Sequence, residues 1–371
     1  MKIIQSLGRL KYFLRSLTKS SLWFLLLITM EAVVNICFSS YTIGQYLHMA
    51  ERIEVVFEAV TSMLVVILLG SLYLLYAGWE AVLQKNVVAV CHTAVLLFHV
   101  SFFIYSIIQY IQIGVCLRYT DWTFNNSSFP PFHQINLYTS FSKYKAVFKN
   151  ATFTFYNLEA FYVALPVVIG LIGIILCFLV YRMNKAYGWV MYQRHGPDLH
   201  MRRRYLIYEI FVALVKLDLY FCICSTIQIA MLNKHPRGGH YQKTRIVLML
   251  LLIPYTLFVL SVSLYAVRRE SYVLMAYVEI MMLAGSAYYL YYMVVVYNNT
   301  NFWIVDFSAY SSLPVTLITV IHVLSTFGIG ITCMVNFGHG LREYLNYLDQ
   351  KKKEESKTAL NLPRSRRPID D

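Results

Sequence analysis

Residues 160–181 read AFYVALPVVIGLIGIILCFLVY, an unbroken stretch without a charged side chain. At 1.5 Å per residue, a helix of this length reaches about 33 Å, enough to cross the ~30 Å hydrocarbon core of a bilayer. In hydrocarbon every backbone N–H and C=O must be bonded within its own segment, so the stretch predicts a transmembrane helix. Pro166 predicts a bend in it, and Gly170 and Gly173 let a neighbouring helix approach closely.

Seven more runs of this kind lie on either side. They are roughly Leu22–Tyr46, Val55–Ala77, Val87–Val115, Tyr205–Leu232, Ile246–Val267, Tyr272–Tyr297 and Leu313–Phe337. The predicted fold class is therefore all-α, a polytopic transmembrane helix bundle of about eight spans occupying residues 21–340. Composition agrees. Of 371 residues 58% are hydrophobic and 14% charged, where soluble domains carry about a quarter charged residues. That excludes an ordinary cytosolic globule and a disordered chain.

The net charge is +13, from 32 Lys and Arg against 19 Asp and Glu. In a soluble protein this excess would raise nucleic acid as a partner. Here the basic residues gather between spans, so the predicted partner is the lipid bilayer and no nucleic acid is expected. With the N-terminus inside, 22 basic residues fall on the cytoplasmic side and 9 opposite, while Lys216 lies within a span. The bias follows the positive-inside rule. The segment 233–245 dissents, with four basic residues on the lumenal side.

All four N-x-S/T acceptors agree with this orientation. Asn125, Asn126 and Asn150 lie in a predicted lumenal loop of about 116–158, and Asn298 lies in the lumenal loop after the seventh run. A basic cytoplasmic link spans about 182–204. Residues 1–20 form a cytoplasmic segment with Ile3, Leu7, Leu10, Leu14 and Leu17 at helical spacing, predicting an amphipathic helix in the interface. The alternative is a basic flank that only orients the first span. Residues 341–371 are predicted to be a disordered basic tail, with Lys351–Lys353, Arg364, Arg366 and Arg367. A rival reading takes Trp23–Met30 as the core of a cleaved signal peptide, which would leave a seven-span, receptor-like protein.

Ionisable groups inside spans are costly and are default functional candidates. The fifth run holds Glu209, Lys216 and Asp218. Seven residues bring Glu209 and Lys216 onto nearly one face, whereas Asp218 points roughly opposite Lys216. Asp218 then needs a partner on another helix, a water cavity or a proton. Glu31, Glu279 and His322 are further polar groups at membrane depth. His92 and His99 share a helix face, and with a carboxylate could relay protons or bind a metal. Their spacing is too long for both to hold one ion, so a hydrogen-bonded core pair competes with that reading.

Seven cysteines lie within or beside apolar runs and none has zinc spacing, so no metal or cofactor is expected. The sequence has no HExxH, P-loop or GxSxG motif, and no histidine box. An enzyme is not expected.

Into the fifth run the chain reads Gln193-Arg194-His195-Gly196-Pro197-Asp198-Leu199. Arg202-Arg203-Arg204-Tyr205, Tyr208-Glu209-Ile210-Phe211 and Val215-Lys216-Leu217-Asp218 follow, and Val267-Arg268-Arg269-Glu270 comes later. These segments resemble the fungal family of uncharacterised multi-pass Golgi apparatus membrane proteins. The resemblance implies a Golgi membrane location, no known activity and no catalytic residue to carry over. The expectation is a non-enzymatic membrane protein of the Golgi or endomembrane system, concerned with membrane organisation or trafficking. Its basic cytoplasmic segments would meet anionic lipids or membrane protein partners. The alternative is a transporter with a pathway near Lys216 and Asp218.

Overall fold

The computed structural model describes residues 19–47, 54–83, 95–108, 110–111, 163–183, 199–232, 239–298 and 305–348, with single positions 185, 350 and 354. Every described element is helical, and the apolar runs account for all but the last. They are α1 Lys19–Leu47, α2 Glu54–Leu83, α3 Val95–Ile108 and α4 Val163–Met183. There follow α5 Leu199–Leu232, α6 Gly239–Arg269, α7 Tyr272–Asn298, α8 Val305–Val335 and a short α9 at 341–348.

Among the described residues seven helices are long and apolar enough to cross a membrane. The third predicted run is described over Val95–Ile108, about 21 Å of helix, and at 110–111, and the rest of it lies outside the described residues. Residues 1–18 and the loop 116–158 also lie outside them.

α5 is the axis of the bundle. Its span is 61% buried, the most of the seven, against 28% for α4 at the periphery. α5 packs on α2, α6 and α8, while α1 packs on α2, and α7 on α6 and α8. Bulky apolar side chains such as Ile174, Val273 and Val335 stay exposed on the outer faces, as a surface solvated by lipid requires. Inside, Tyr73, Phe98, Tyr220 and Phe221 from α2, α3 and α5 form one aromatic cluster, with ring centroids 4.7–5.9 Å apart. The Tyr220 hydroxyl donates to Val66 O at 3.1 Å.

Two predicted boundaries are corrected. α5 starts at Leu199, inside the segment read as a basic link, because Arg202–Arg204 extend the helix past its apolar part. Residues 341–348, read as the start of a disordered tail, form α9, and Leu341 and Leu345 are buried against Tyr205 of α5. Two apolar residues one turn apart suffice once α5 extends far enough to receive them.

Glu270 fixes this arrangement. It ends α6 in the left-handed region with φ 51°, its N–H on Val267 O at 3.2 Å. Its carboxylate accepts from Gly338 N (3.3 Å) and Arg342 N (3.0 Å), capping the start of α9. Gly338 and Gly340 make the turn from α8 with φ of 76° and 87°, which glycine adopts without a side-chain clash. Arg204 donates to His339 O at 3.1 Å, and the Tyr272 hydroxyl to Phe337 O at 3.2 Å. The start of α5, the α6–α7 turn and α9 thus share one end of the bundle.

Candidate functional site

The two faces of α5 hold different polar groups. On one, Lys216 Nζ meets Glu80 Oε1 of α2 at 2.6 Å. Both side chains are partly exposed, and Glu209 joins them in lining a cavity of about 40 Å³ between α2, α3 and α5. The sequence reading missed Glu80 because the apolar run of α2 falters at Ala77. Following the helical period one further turn would have found it.

Asp218 lies on the opposite face. It is fully buried, and neither carboxylate oxygen has a hydrogen-bond partner among the described residues. It lines a second cavity of about 30 Å³, walled by α5, α6, α7 and α8. That volume holds a water or two, since one water needs about 10–15 Å³.

Glu31 and His99 form a separate pair in the interior. His99 Nε2 lies 2.9 Å and 3.1 Å from the two carboxylate oxygens of Glu31, joining α3 to α1. Both residues are at most 2% exposed. Across α4, Gly173 makes room for the imidazole, since a β-carbon there would lie 3.0 Å from His99 Cε1. The potential partner His92 lies outside the described residues.

His322 of α8 is within 3.0 Å of Ser101 Oγ of α3 and stacks on Phe221 at 4.4 Å. Glu279 of α7 is buried against Gly330 of α8, where any β-carbon would coincide with its carboxylate. Neither of its oxygens has a hydrogen-bond partner among the described residues. The seven described candidates are therefore dispersed through the bundle. Among the described residues no three His, Cys, Asp or Glu side chains converge as metal ligands. Of the sequon residues, Asn298 ends α7, while Asn125, Asn126 and Asn150 lie outside the described residues.

The α5–α8 contact carries a polar ladder besides. Thr319 of α8 bonds both Ser225 Oγ (2.5 Å) and Phe221 O (3.2 Å). Thr226 bonds Tyr289 of α7 at 3.1 Å. Such hydroxyls satisfy themselves on nearby carbonyls and let helix backbones approach.

No family model matches the chain, and no solved structure matches it. It is 32% identical to a UPF0658 Golgi apparatus membrane protein of Schizosaccharomyces pombe over 346 residues. The match covers 92% of this chain and 94% of that protein.

Proposed function

Because this chain belongs to the UPF0658 family of multi-pass Golgi apparatus membrane proteins, we propose that it is a non-enzymatic scaffold organising the cytoplasmic face of that membrane. The observation that carries this reading is the end of the bundle built around Glu270. Arg203, Arg268, Arg269 and Arg342 are exposed there, on three helices, α5, α6 and α9, brought together by the capping of α9. By the positive-inside rule this end faces the cytosol. Each arginine near an anionic leaflet contributes about 1 kcal/mol of attraction. A fixed set of four is thus suited to gathering anionic headgroups and presenting the tail to trafficking partners.

The test uses the full chain in nanodiscs containing a fluorescent anionic lipid and a fluorescent zwitterionic one. The anionic lipid should be enriched at the protein, less so at high salt, and the enrichment should fall when the four arginines become Gln. Equal enrichment in the quadruple variant would refute the reading.

The transporter alternative keeps one favourable observation, that Asp218 has no hydrogen-bond partner among the described residues. Against it, Lys216 is engaged by Glu80, and both cavities are far below the roughly 300 Å³ of organic substrate sites. Solute flux in proteoliposomes that vanishes with Lys216→Met would favour transport.

A further inference from the structure

We propose that Asp218 and the cavity before it form a binding site for one singly charged cation, a proton or an alkali ion, inside the membrane part of the bundle. The inference is independent of the scaffold reading. It begins with where the surrounding hydroxyl protons go. Tyr255 donates to Met281 O at 2.7 Å, Thr256 to Leu252 O at 2.6 Å, Ser286 to Leu283 O at 2.9 Å and Tyr289 to Cys222 O at 3.2 Å. These are the four hydroxyls lining the cavity. Thr326 stands beside the carboxyl on α8, and its hydroxyl is hydrogen-bonded to His322 O at 3.1 Å.

Each hydroxyl has a single hydrogen, so the four lining the cavity turn only lone pairs to their remaining neighbours. This explains why neither Asp218 oxygen has a hydrogen-bond partner among the described residues although hydroxyls line its cavity. The site is rich in acceptors and poor in donors. Among the described residues the Cys222 thiol is a weak donor lining the cavity, so an anion or a neutral acceptor finds little to bind there, whereas a cation finds a full charge and oxygen dipoles.

Charge and size narrow the ligand. Among the described residues, the titratable groups lining the cavity with Asp218 are Cys222 on its own helix, Tyr255 on α6 and Tyr289 on α7; Tyr73 of α2 lies on the side of the other cavity, and α8 brings the Thr326 hydroxyl. None is a cation. One carboxylate is balanced by one positive charge, and an unbalanced charge in so enclosed a place is too costly to persist. A cavity of about 30 Å³ admits a bare ion with a water, or a protonated carboxyl with two, but no organic ammonium of drug size. The remaining walls are apolar, including Leu252, Val259 and Met282, which favours the release of an ion's hydration shell only where a charge such as Asp218 waits.

Two measurements on the purified full chain, wild type and Asp218→Asn, decide the matter. The first is the infrared band of a protonated carboxylic acid, recorded between pH 5 and 8 in choline chloride. The second is the thermal midpoint at pH 8 with sodium, potassium or lithium chloride replacing choline chloride at equal ionic strength. For a proton, wild type shows an acid band that titrates and that is diminished in Asp218→Asn. For an alkali ion, the wild-type midpoint rises with that ion and the variant's does not. Wild type showing neither a titrating acid band nor an alkali-dependent midpoint overturns the proposal, as does an Asn variant that retains both wild-type responses. Should the Asn variant fail to fold, Asp218→Ser removes the charge while leaving an acceptor oxygen, and the same two readings apply.

Discussion

Replacing His99 by Leu should destabilise the bundle in a way that a second substitution repairs. In the native protein both oxygens of Glu31 rest on His99 Nε2, at 2.9 Å and 3.1 Å, with both residues buried. Gly173 presses on the other side of the ring, so the surroundings offer no space for a substitute donor to enter from α4. His99→Leu therefore strands a carboxylate, and Glu31→Leu strands an imidazole. Removing one partner of a buried pair costs about 3–5 kcal/mol, whereas exchanging both for apolar groups of similar volume is near neutral. At ~2 °C per kcal/mol, the lower end for a chain of this size, each single variant should lose about 6–10 °C of thermal midpoint. The Glu31→Leu/His99→Leu double variant should regain most of that loss. The assay is size-exclusion chromatography of fluorescently tagged protein after stepwise heating in detergent. Single variants with unchanged midpoints, or a double variant that simply sums the two losses, would show that Glu31 and His99 do not act as a pair.

Gly330→Ala should cost about 1 kcal/mol, because its β-carbon would occupy the place of the Glu279 carboxylate and force the ends of the Glu279 and Met275 side chains to shift. Adding Glu279→Ala should relieve that loss in the same heating assay; a persistent loss refutes the contact. The sequons at Asn125, Asn126, Asn150 and Asn298 should carry any N-glycan, seen as an endoglycosidase-sensitive gel shift that Gln replacement removes. An acceptor engineered into residues 355–371 should stay unmodified, and sugar on it would invert the orientation.

Much of the architecture follows from local composition. A segment such as Ala160–Tyr181 cannot satisfy its backbone in lipid except as a helix, whatever surrounds it. That argument needs no knowledge of neighbours, and the helices α1, α2 and α4 to α8 answer to it. It weakens where a helix outlasts its apolar run. The start of α5 at Leu199 and the docked α9 depend on residues far apart in the chain, Tyr205 with Leu341 and Glu270 with Arg342. Leu341, Tyr344, Leu345 and Leu348 do recur at helical spacing, but nothing local to so short a segment says that it docks on α5.

The sequence also placed Lys216 and Asp218 on opposite faces of one helix, since 100° per residue is geometry that any α-helix obeys. Which face met a counter-charge was decided by tertiary packing. α2 brings Glu80 to Lys216, whereas α6, α7 and α8 bring Asp218 hydroxyls whose protons are already committed to backbone carbonyls. Helix formation in a membrane is enforced residue by residue, by backbone hydrogen bonding within the segment. The pairing of side chains depends on which helices lie side by side and how each is rotated. That information belongs to the assembled bundle and to no single span.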